Sequence, residues 1–331
     1  MFTPTPIAHW QVRGEEVDIT GWPQSEEHPY FPEGSRDKRL LHCPDPAPQP
    51  WLIAGHPYLF KKSRNVYPDQ FWAEVVASRL ARLTRVPVPP AYAAKDSEAR
   101  ECAALIEWFW GYPNSSPQGF LSGGLFMQTL IADFDHKRGT QHNFESIQLL
   151  SRFFSNPSNR AGVPRLQTGW LDDWARMLTF DALIGNTDRH QENWGFVFTR
   201  NNDGSISFAL SPAFDNGTSL GHERPPSQFA RFRQNKELQR YIQRGRHHLK
   251  WQLHDKKSCG HLELLQKILQ QSPATRTAML SVLDCDPAAL HHAILPLCDM
   301  TSTVRLTPRR ARFMENLLLA RQNRLREALQ A

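Results

Sequence analysis

The spacing of apolar positions changes its period within the first third of the chain. Two short apolar runs, 51–53 and 58–61, flank a Gly-His-Pro turn and predict two β-strands. The next stretch, DQFWAEVVASRLARLTRVPVPP, carries apolar and charged residues at helical spacing and predicts a helix that ends before Pro87. A further apolar strand is predicted at 103–106. The N-terminal part therefore reads as strands, a helix and another strand.

Residues 111–124 are rich in Gly, Pro, Ser and Asn, which predicts a boundary between two lobes. Helical spacing dominates beyond it, with an amphipathic helix at 170–184 and further helices in the C-terminal third. The pattern predicts an α+β protein with a small β-rich N-terminal lobe, residues 1–110, and a mainly helical C-terminal lobe, residues 111–331.

A β-hairpin is predicted inside the helical part. Two alternating runs, 194–199 and 205–210, are separated by Asn-Asn-Asp-Gly, a typical hairpin turn. Residues just before the first strand and just after the second emerge at the same end of a hairpin. Asn193 and Asp215 occupy these two places, so we expect the hairpin to bring Asp215 beside Asn193 and the nearby Asp188.

The segment GNTDRHQENWG, residues 185–195, places these polar residues between two glycines. Phosphoryl transfer needs hard oxygen ligands for magnesium and a carboxylate near the attacking hydroxyl. Asp188 would orient that hydroxyl or accept its proton, while Asn193 and Asp215 would hold the metal. Gly217 would let the backbone turn sharply after the last ligand.

Simpler interpretations exist for these residues. A loop rich in Asn, Asp and Gly is ordinarily a turn, and only the hairpin and the second aspartate favour a site. His190 is a candidate catalytic residue, with a structural histidine as the alternative, and Arg189 contacts either phosphate or a carboxylate. A metal hydrolase would use Asp188, His190, Asp215 and His222. No HExxH-like spacing supports a hydrolase.

Composition narrows the class of protein. The 331 residues are 40% apolar, which is enough for a large core. No run of about 18 apolar residues occurs and the N-terminus lacks the order of a secretory signal, so we expect a cytoplasmic protein without a membrane partner. The five cysteines are scattered and predict reduced thiols.

The net charge of +6 is unevenly distributed along the chain. Residues 229–257 contain nine Lys or Arg and two acidic residues, with aromatic residues between them. A solvated helix face is the simplest interpretation. A surface for an acidic or phosphorylated partner is the second, and direct binding of nucleic acid is the least favoured.

GNTDRHQENWG followed by SPAFDNG resembles the catalytic loop and metal-binding motif of HipA-like serine/threonine kinases, atypical relatives of the protein and phosphatidylinositol kinases. The resemblance implies a two-lobed protein-kinase-like fold with ATP and Mg²⁺ as cofactors. It also implies a nucleotide-anchoring lysine on a strand and a helical glutamate to pair with it. Lys61 and Glu74 match these positions, with Lys62 as the competing lysine, and Glu107 falls where such kinases pass adenine along the interlobe backbone.

The same resemblance implies a glycine-containing loop over the phosphates, before the lysine strand. The segment PEGSRDK, residues 32–38, is the candidate and supplies Gly34 and Ser35. Ser35 resembles a position that is autophosphorylated in some relatives, and an ordinary Gly-Ser turn is the alternative interpretation.

Together these features predict a kinase that transfers the γ-phosphoryl group of ATP to Ser or Thr of a protein substrate. The resemblance further implies an antitoxin or another regulatory partner, as in a toxin–antitoxin pair. A lipid or small-molecule kinase is an alternative, because Asp188, Asn193 and Asp215 do not identify their acceptor. A catalytically silent kinase fold that acts as a binding or regulatory module is another.

Overall fold

The computed structural model describes residues 8–26, 36–159 and 163–331. The strands in this part of the chain are β1 (Val17–Asp18), β2 (Lys38–His42), β3 (Pro57–Lys61), β4 (Ala91–Asp96), β5 (Glu101–Glu107), β6 (Gln118–Ser122), β7 (Arg165–Leu166), β8 (Gly195–Arg200) and β9 (Ile206–Leu210). The α-helices are α1 (Phe71–Thr84), α2 (Gly123–Gln128), α3 (Phe144–Phe154), α4 (Trp170–Ile184), α5 (Asn235–Gln243), α6 (His261–Gln271), α7 (Arg276–Leu283), α8 (Pro287–Ile294) and α9 (Pro308–Gln330). Gly34 and Ser35 lie outside the described residues.

A five-stranded sheet in the order β1-β4-β5-β3-β2 forms the N-terminal part. Neighbouring strands are antiparallel, except β1 and β4, which are parallel. Alternate residues of β5 enter two different cores, because successive side chains of a strand point to opposite faces. Ala104 and Ile106 pack with α1, whereas Ala103 and Leu105 pack in a second core beneath the opposite face. The sheet is therefore buried on both faces.

The predicted strand at 51–53 is wrong. These residues form a turn, closed by a hydrogen bond from the Leu52 amide to the Gln49 carbonyl at 3.1 Å. Leu52 is buried in the second core, so the apolar run reports burial without a strand. The actual neighbours of β3 are β2, which the pattern did not predict, and β5.

Helix α1 connects the sheet to the helical part. It ends at Thr84, before Pro87 as predicted, and Arg85 follows in the left-handed conformation. All ten residues from Phe71 to Leu80 are buried, because α1 packs on the sheet and also against α7 and α8. The indole Nε1 of Trp72 donates to the Val304 carbonyl at 2.9 Å. The helix is thus fixed to both parts of the molecule.

The predicted hairpin is confirmed as β8 and β9, within a four-stranded sheet of order β6-β8-β9-β7. Its turn closes with the Asn201 amide bonded to the Ser205 carbonyl at 2.9 Å. Gly204 has φ +80°, the left-handed conformation that favours glycine at a hairpin turn. Strand β6, from the segment predicted to separate the lobes, pairs with β8.

Helices make up most of the chain after β9. Helix α4, predicted at 170–184, has those bounds and packs against α6, α7 and α9. Its last eight residues are all buried, including Asp181. The predicted α+β composition, with a β-rich N-terminal part and a mainly helical remainder, is confirmed.

Two smaller findings concern the whole described chain. All five cysteines are unpaired, as predicted. Among the residues that the structure describes, no helix combines the length and the apolar character needed to span a bilayer.

Candidate active site

A cavity of about 370 Å³ lies where the two sheets face each other. Its walls are largely aromatic: Trp110 stacks on Phe120 with ring centres 5.1 Å apart, and Phe109 stacks on Phe214 at 5.0 Å. Apolar walls with a few polar groups are typical of small-molecule sites. The predicted site residues that line this cavity are Lys61, Glu107, His190, Asn193 and Asp215.

Lys61, at the end of β3, is buried between two carboxylates. Its Nζ lies 3.1 Å from Oε1 of Glu74 and 2.7 Å from Oδ1 of Asp215. Lys62 points to the opposite side of the strand, where it pairs with Asp37 at 2.5 Å and Glu101 at 2.6 Å. Of the two adjacent lysines, Lys61 is therefore the one that reaches the cavity.

Arg36 is a second cation in this cluster, and the sequence analysis did not identify it. Its Nη2 lies 3.0 Å from Oε1 of Glu74 and 2.6 Å from Oδ1 of Asp215, and only 6% of its side chain is exposed. Two cations thus face two carboxylates. Arg36 follows Ser35 directly, but no local pattern connects it to an aspartate 179 positions away.

Asp215 is ionised by its surroundings. Burial raises the pKa of Asp215, but Lys61 and Arg36 outweigh burial and hold the pKa well below its usual value. The residue itself has φ +53°, in the left-handed region that side chains other than glycine seldom adopt. Such conformations persist where surrounding contacts over-determine them, as the ion pairs do here.

Gly217 lies in a turn, as predicted. Its φ lies outside the left-handed region, which Asp215 and Leu220 adopt instead. A Cβ at Gly217 would lie 2.1 Å from Nη1 of Arg36. The missing side chain at this position therefore makes room for the Arg36 guanidinium.

The loop after α4 presents Asp188. The Asp188 amide donates to Oδ1 of Asn186 at 3.0 Å, and Nδ2 of Asn193 donates to the Asp188 carbonyl at 2.8 Å. These bonds fix the main chain on both sides of Asp188. Its carboxylate, partly exposed, accepts no hydrogen bond from the described residues. The loop therefore holds a free carboxylate in a fixed place.

Asp188 stands between two cavities. His190 and Asn193 line the aromatic cavity, and Asp188 itself does not. Thr187, the residue before Asp188, lines a second cavity on the other side of the loop. The residues on either side of Asp188 thus line different cavities.

Arg189 anchors this loop. Its Nε and Nη2 donate to the two carboxylate oxygens of Asp181 at 3.0 and 2.7 Å. Its Nη1 donates to the Asn193 carbonyl at 2.8 Å and also to the Phe214 carbonyl. One buried guanidinium thus joins α4, the loop and the residue before Asp215. Of the two interpretations left open by the sequence, the structure shows the contact with a carboxylate.

Replacing Arg189 with methionine is expected to lower the free energy of unfolding by about 3–5 kcal/mol, because the buried Asp181 would lose its partner. Chemical denaturation measures the change. The double variant Asp181→Leu/Arg189→Met should be more stable than Arg189→Met alone, because it leaves no unpaired charge. A loss below about 1 kcal/mol in the single variant would show that the ion pair is not structurally important.

His190 and Glu107 line the cavity with their side chains engaged elsewhere. The Glu192 amide donates to Nδ1 of His190 at 3.1 Å. The Glu107 carboxylate accepts hydrogen bonds from Tyr58 at 3.1 Å and Tyr112 at 2.9 Å. Burial raises the pKa of Glu107 to about 7 in spite of these bonds. The Glu107 carboxylate is therefore already engaged with two tyrosines of the chain.

Asn193 and Asp215 fit a divalent metal of the hard-oxygen type. Asn193 uses Nδ2 for the Asp188 carbonyl, and its Oδ1 has no hydrogen-bond partner among the described residues. Together with the ionised Asp215 this gives two oxygen donors, and magnesium typically takes one or two protein ligands beside phosphate oxygens and water. No group of three or more His, Cys, Asp or Glu in the described chain could hold a metal, so the hydrolase alternative lacks its ligand cluster.

Three comparisons relate the chain to known proteins. No curated protein sequence matches it. The Helicobacter pylori proinflammatory kinase CtkA has a similar structure, with a TM-score of 0.70 and 16% sequence identity over 95% of this chain and 96% of that one. HipA from the Shewanella oneidensis MR-1 toxin–antitoxin complex with HipB and operator DNA matches with a TM-score of 0.49 and 14% identity, over 94% of this chain and 68% of that one.

The structural similarity to CtkA shows that the chain has the protein-kinase-like fold that the sequence predicts. The family profile described as the HipA-like C-terminal domain matches residues 32–279. This range contains both the loop with Asp188 and the segment with Asp215, as well as Lys61 and Glu74. Because the match covers most of the chain, the protein belongs to the family of HipA-like C-terminal domains.

Proposed function

We propose that the protein is a kinase that transfers the γ-phosphoryl group of ATP to a Ser or Thr hydroxyl of a protein. One observation supports this most strongly: Lys61 joins Glu74 and Asp215 at the edge of a cavity that Asn193 also lines. A lysine–glutamate pair beside a metal-binding aspartate is the arrangement that protein kinases use for phosphoryl transfer. The order of these residues along the chain, a strand lysine, a helical glutamate and then the metal-binding asparagine and aspartate, is also that of protein kinases.

The aromatic cavity would receive the nucleotide. Its stacked rings suit a planar base, and the main chain at Glu107 would contact the edge of that base. Lys61 would bind phosphate oxygens, with Glu74 holding its ammonium in place. Asn193 and Asp215 would hold magnesium, which when bound neutralises the charge that develops on the phosphoryl oxygens.

Asp188 would position the acceptor. Its carboxylate accepts no hydrogen bond in the described chain, and the hydrogen bonds to Asn186 and Asn193 hold its main chain still. The carboxylate would accept the hydroxyl hydrogen of Ser or Thr in a hydrogen bond and take up the proton as the new O–P bond forms. His190, which lines the aromatic cavity, would complete this end of the site.

Several finer assignments belong to the same proposal. We assign nucleotide binding chiefly to residues 1–110 and catalysis to residues 111–331. Gly34 and Ser35 would cover the phosphates, with Ser35 as an autophosphorylation site, and an antitoxin would regulate the enzyme in the cytoplasm. Membership of the HipA-like family supports these assignments.

Magnesium-dependent ATP binding, measured by isothermal titration calorimetry, tests the nucleotide site. We expect Lys61→Met to weaken binding about tenfold or more, because a charge-assisted contact to phosphate is lost. The matched control Lys62→Met changes the neighbouring lysine on the opposite side of the strand and should leave binding unchanged. Equal affinities for wild type and Lys61→Met would contradict the assignment.

A silent nucleotide-binding module is the second candidate, and Arg36 favours it. Arg36 and Lys61 already neutralise Asp215, so a metal would compete with two cations for this carboxylate. ATP binding without any phosphoryl transfer would be the result expected of such a module.

A further inference from the structure

A second cavity, of about 340 Å³, lies behind the loop that carries Asp188. It is strongly basic, with five arginines and two glutamates in its lining, whereas the aromatic cavity is lined by two lysines and three acidic residues. We call it the arginine cavity; its charged residues are Glu223, Arg224, Arg231, Glu237, Arg240, Arg244 and Arg321. The kinase chemistry proposed above uses none of these residues.

Arg321 forms the floor of this cavity and lacks a full set of partners. The residue is 4% exposed, and its Nε and Nη1 have no hydrogen-bond partner among the described residues. The groups that interact with it are Tyr241, whose ring centre lies 5.7 Å from the guanidinium carbon, and Glu223. A buried guanidinium with unused donors is costly unless an anion meets it.

Burial lowers the pKa of Arg321, but arginine remains charged at any physiological pH. The guanidinium lies against the end of α4, where a Cβ at Gly185 would be 1.2 Å from Nη1. Gly185 therefore leaves room for this guanidinium directly before the loop with Asp188. The fold thus accommodates the buried positive charge of Arg321 beside this loop.

The carboxylates of the cavity are already occupied by their neighbours. Glu223 accepts a hydrogen bond from the Tyr241 hydroxyl at 2.8 Å, and Glu237 accepts one from Nε of Arg231 at 2.6 Å. Arg244, at the exposed rim, makes no ion pair within the described chain. The cavity therefore keeps an excess of arginine donors that its own acids do not satisfy.

Arg224, at the rim of the cavity, lies over two aromatic rings. The guanidinium carbon of Arg224 lies 4.9 Å from the ring centre of Tyr241 and 5.9 Å from that of Phe232. Its Nε lies 3.2 Å from Oε1 of Glu223, so Nη1 and Nη2 are the donors that remain for a ligand. Arg224 and Arg244 thus provide donors at the rim of the cavity, and Arg321 provides donors at its floor.

We propose that the arginine cavity binds the phosphoryl group of a phosphorylated serine or threonine in a protein. A phosphate monoester carries a charge of about −1.5 to −2 at pH 7 and three acceptor oxygens, and several guanidinium groups are its usual partners. A carboxylate side chain has less charge and fewer acceptors for the donors of three arginines. Its volume of about 340 Å³ is large enough to receive a phosphorylated side chain.

The position of the cavity suggests what the phosphorylated residue does. Thr187 in its lining is the residue before Asp188, and Thr218 in its lining lies three positions after Asp215. A further basic depression next to it shares Thr187 and Arg244 and adds Arg138 and Lys250. Resting on the proposed kinase function, we assign the bound phosphoryl group to a substrate that has already been phosphorylated near the hydroxyl presented to Asp188.

The test measures peptide binding in the absence of ATP, by fluorescence anisotropy. The probes are labelled degenerate peptides with one fixed central phosphoserine and the same peptides with serine, and inorganic phosphate is the competitor. Wild type should bind the phosphoserine peptides about tenfold or more tightly than the serine peptides, because each good charge-assisted contact is worth on the order of a factor of ten. The same result is expected with Asp188→Asn, so a failure of the kinase proposal would leave this measurement interpretable.

Variants locate the binding site. Arg321→Met should remove the preference for phosphoserine, and the double rim variant Arg224→Gln/Arg244→Gln should reduce it about tenfold without disturbing buried structure. The control Arg233→Gln removes an exposed arginine of the same basic segment outside the cavity and should have no effect. Thermal unfolding confirms that each variant is folded.

Three outcomes would overturn the inference. Equal affinity for the phosphoserine and serine peptides would exclude a phosphoryl site. A preference that survives the rim variant would place the site elsewhere. Binding of inorganic phosphate as tight as that of the phosphopeptides would show a site for the free ion, and would overturn the assignment to a phosphorylated protein.

Discussion

The Asp188→Asn variant is expected to transfer phosphate about 10²–10⁴ times more slowly than the wild type, the usual loss on removal of a general base. Asparagine keeps the size and shape of the side chain but cannot accept the hydroxyl proton. The loop should stay in place, because the bonds to Asn186 and Asn193 involve the main chain of residue 188. Magnesium-dependent ATP binding should therefore be unchanged.

Single-turnover transfer from labelled ATP measures this effect, with calorimetry of ATP binding alongside it. Asp133→Asn is the matched control, since it makes the same chemical change at an exposed aspartate outside both cavities. A rate for Asp188→Asn within about threefold of the wild type would remove Asp188 from the chemical step. A parallel loss of ATP binding would indicate a structural role.

The Asp215→Asn variant is expected to lose both transfer and the dependence of ATP binding on magnesium. The amide carries no charge to attract the metal, and Lys61 and Arg36 are left facing Glu74 alone. The same substitution should lower the free energy of unfolding by about 1–3 kcal/mol, because two buried cations lose a charged partner. Calorimetry with and without magnesium, and chemical denaturation, test the two effects separately.

The stability change should depend on pH in a defined direction. The folded state depresses the pKa of Asp215, so its contribution is complete above the pKa of an unfolded aspartate, near about 4. The contribution is lost as the pH falls from there toward the lower folded pKa. The wild type and Asp215→Asn should therefore differ most near neutral pH and converge below about pH 4. A difference that stays constant down to pH 3 would mean that the carboxylate charge is not stabilising.

Periodic local patterns predicted the elements that carry the site. Helix α4 and the hairpin of β8 and β9 lie where the spacing of apolar residues and the Asn-Asn-Asp-Gly turn place them. The prediction of a strand at 51–53 was wrong, because an apolar run indicates burial but not the type of secondary structure. Leu52 is buried although it lies in a turn. Strand β2 was not predicted, because KRLLH has two adjacent apolar residues and no alternation of apolar and polar positions. Its place in the sheet depends on pairing with β3.

Of the candidate site, only the residues that lie in short sequence motifs could be predicted. Asp188, Asn193 and Asp215 stand in two short segments joined by one hairpin, so local geometry connects them. Arg36 joins the cluster through contacts with residues far away in the chain, which no local pattern encodes. Gly217 illustrates the same limit.

For Gly217, the sequence indicates that a glycine is required but not the reason. The structure shows that the Arg36 guanidinium occupies the space that a side chain would fill. The same reasoning applies to Gly185, where the left-handed conformation is a local feature but the close contact with Arg321 is not. Both glycines depend on arginines that the chain brings in from a distance.

Transfer of the γ-phosphoryl group from labelled ATP, with magnesium, tests the central claim most directly. Wild type, Asp188→Asn and Asp215→Asn are each incubated alone and with a cell extract, and mass spectrometry identifies the labelled residues. We predict label on Ser or Thr with the wild type and none above background with either variant. A wild type that binds ATP with magnesium but labels neither itself nor any protein in the extract would contradict the proposed protein kinase.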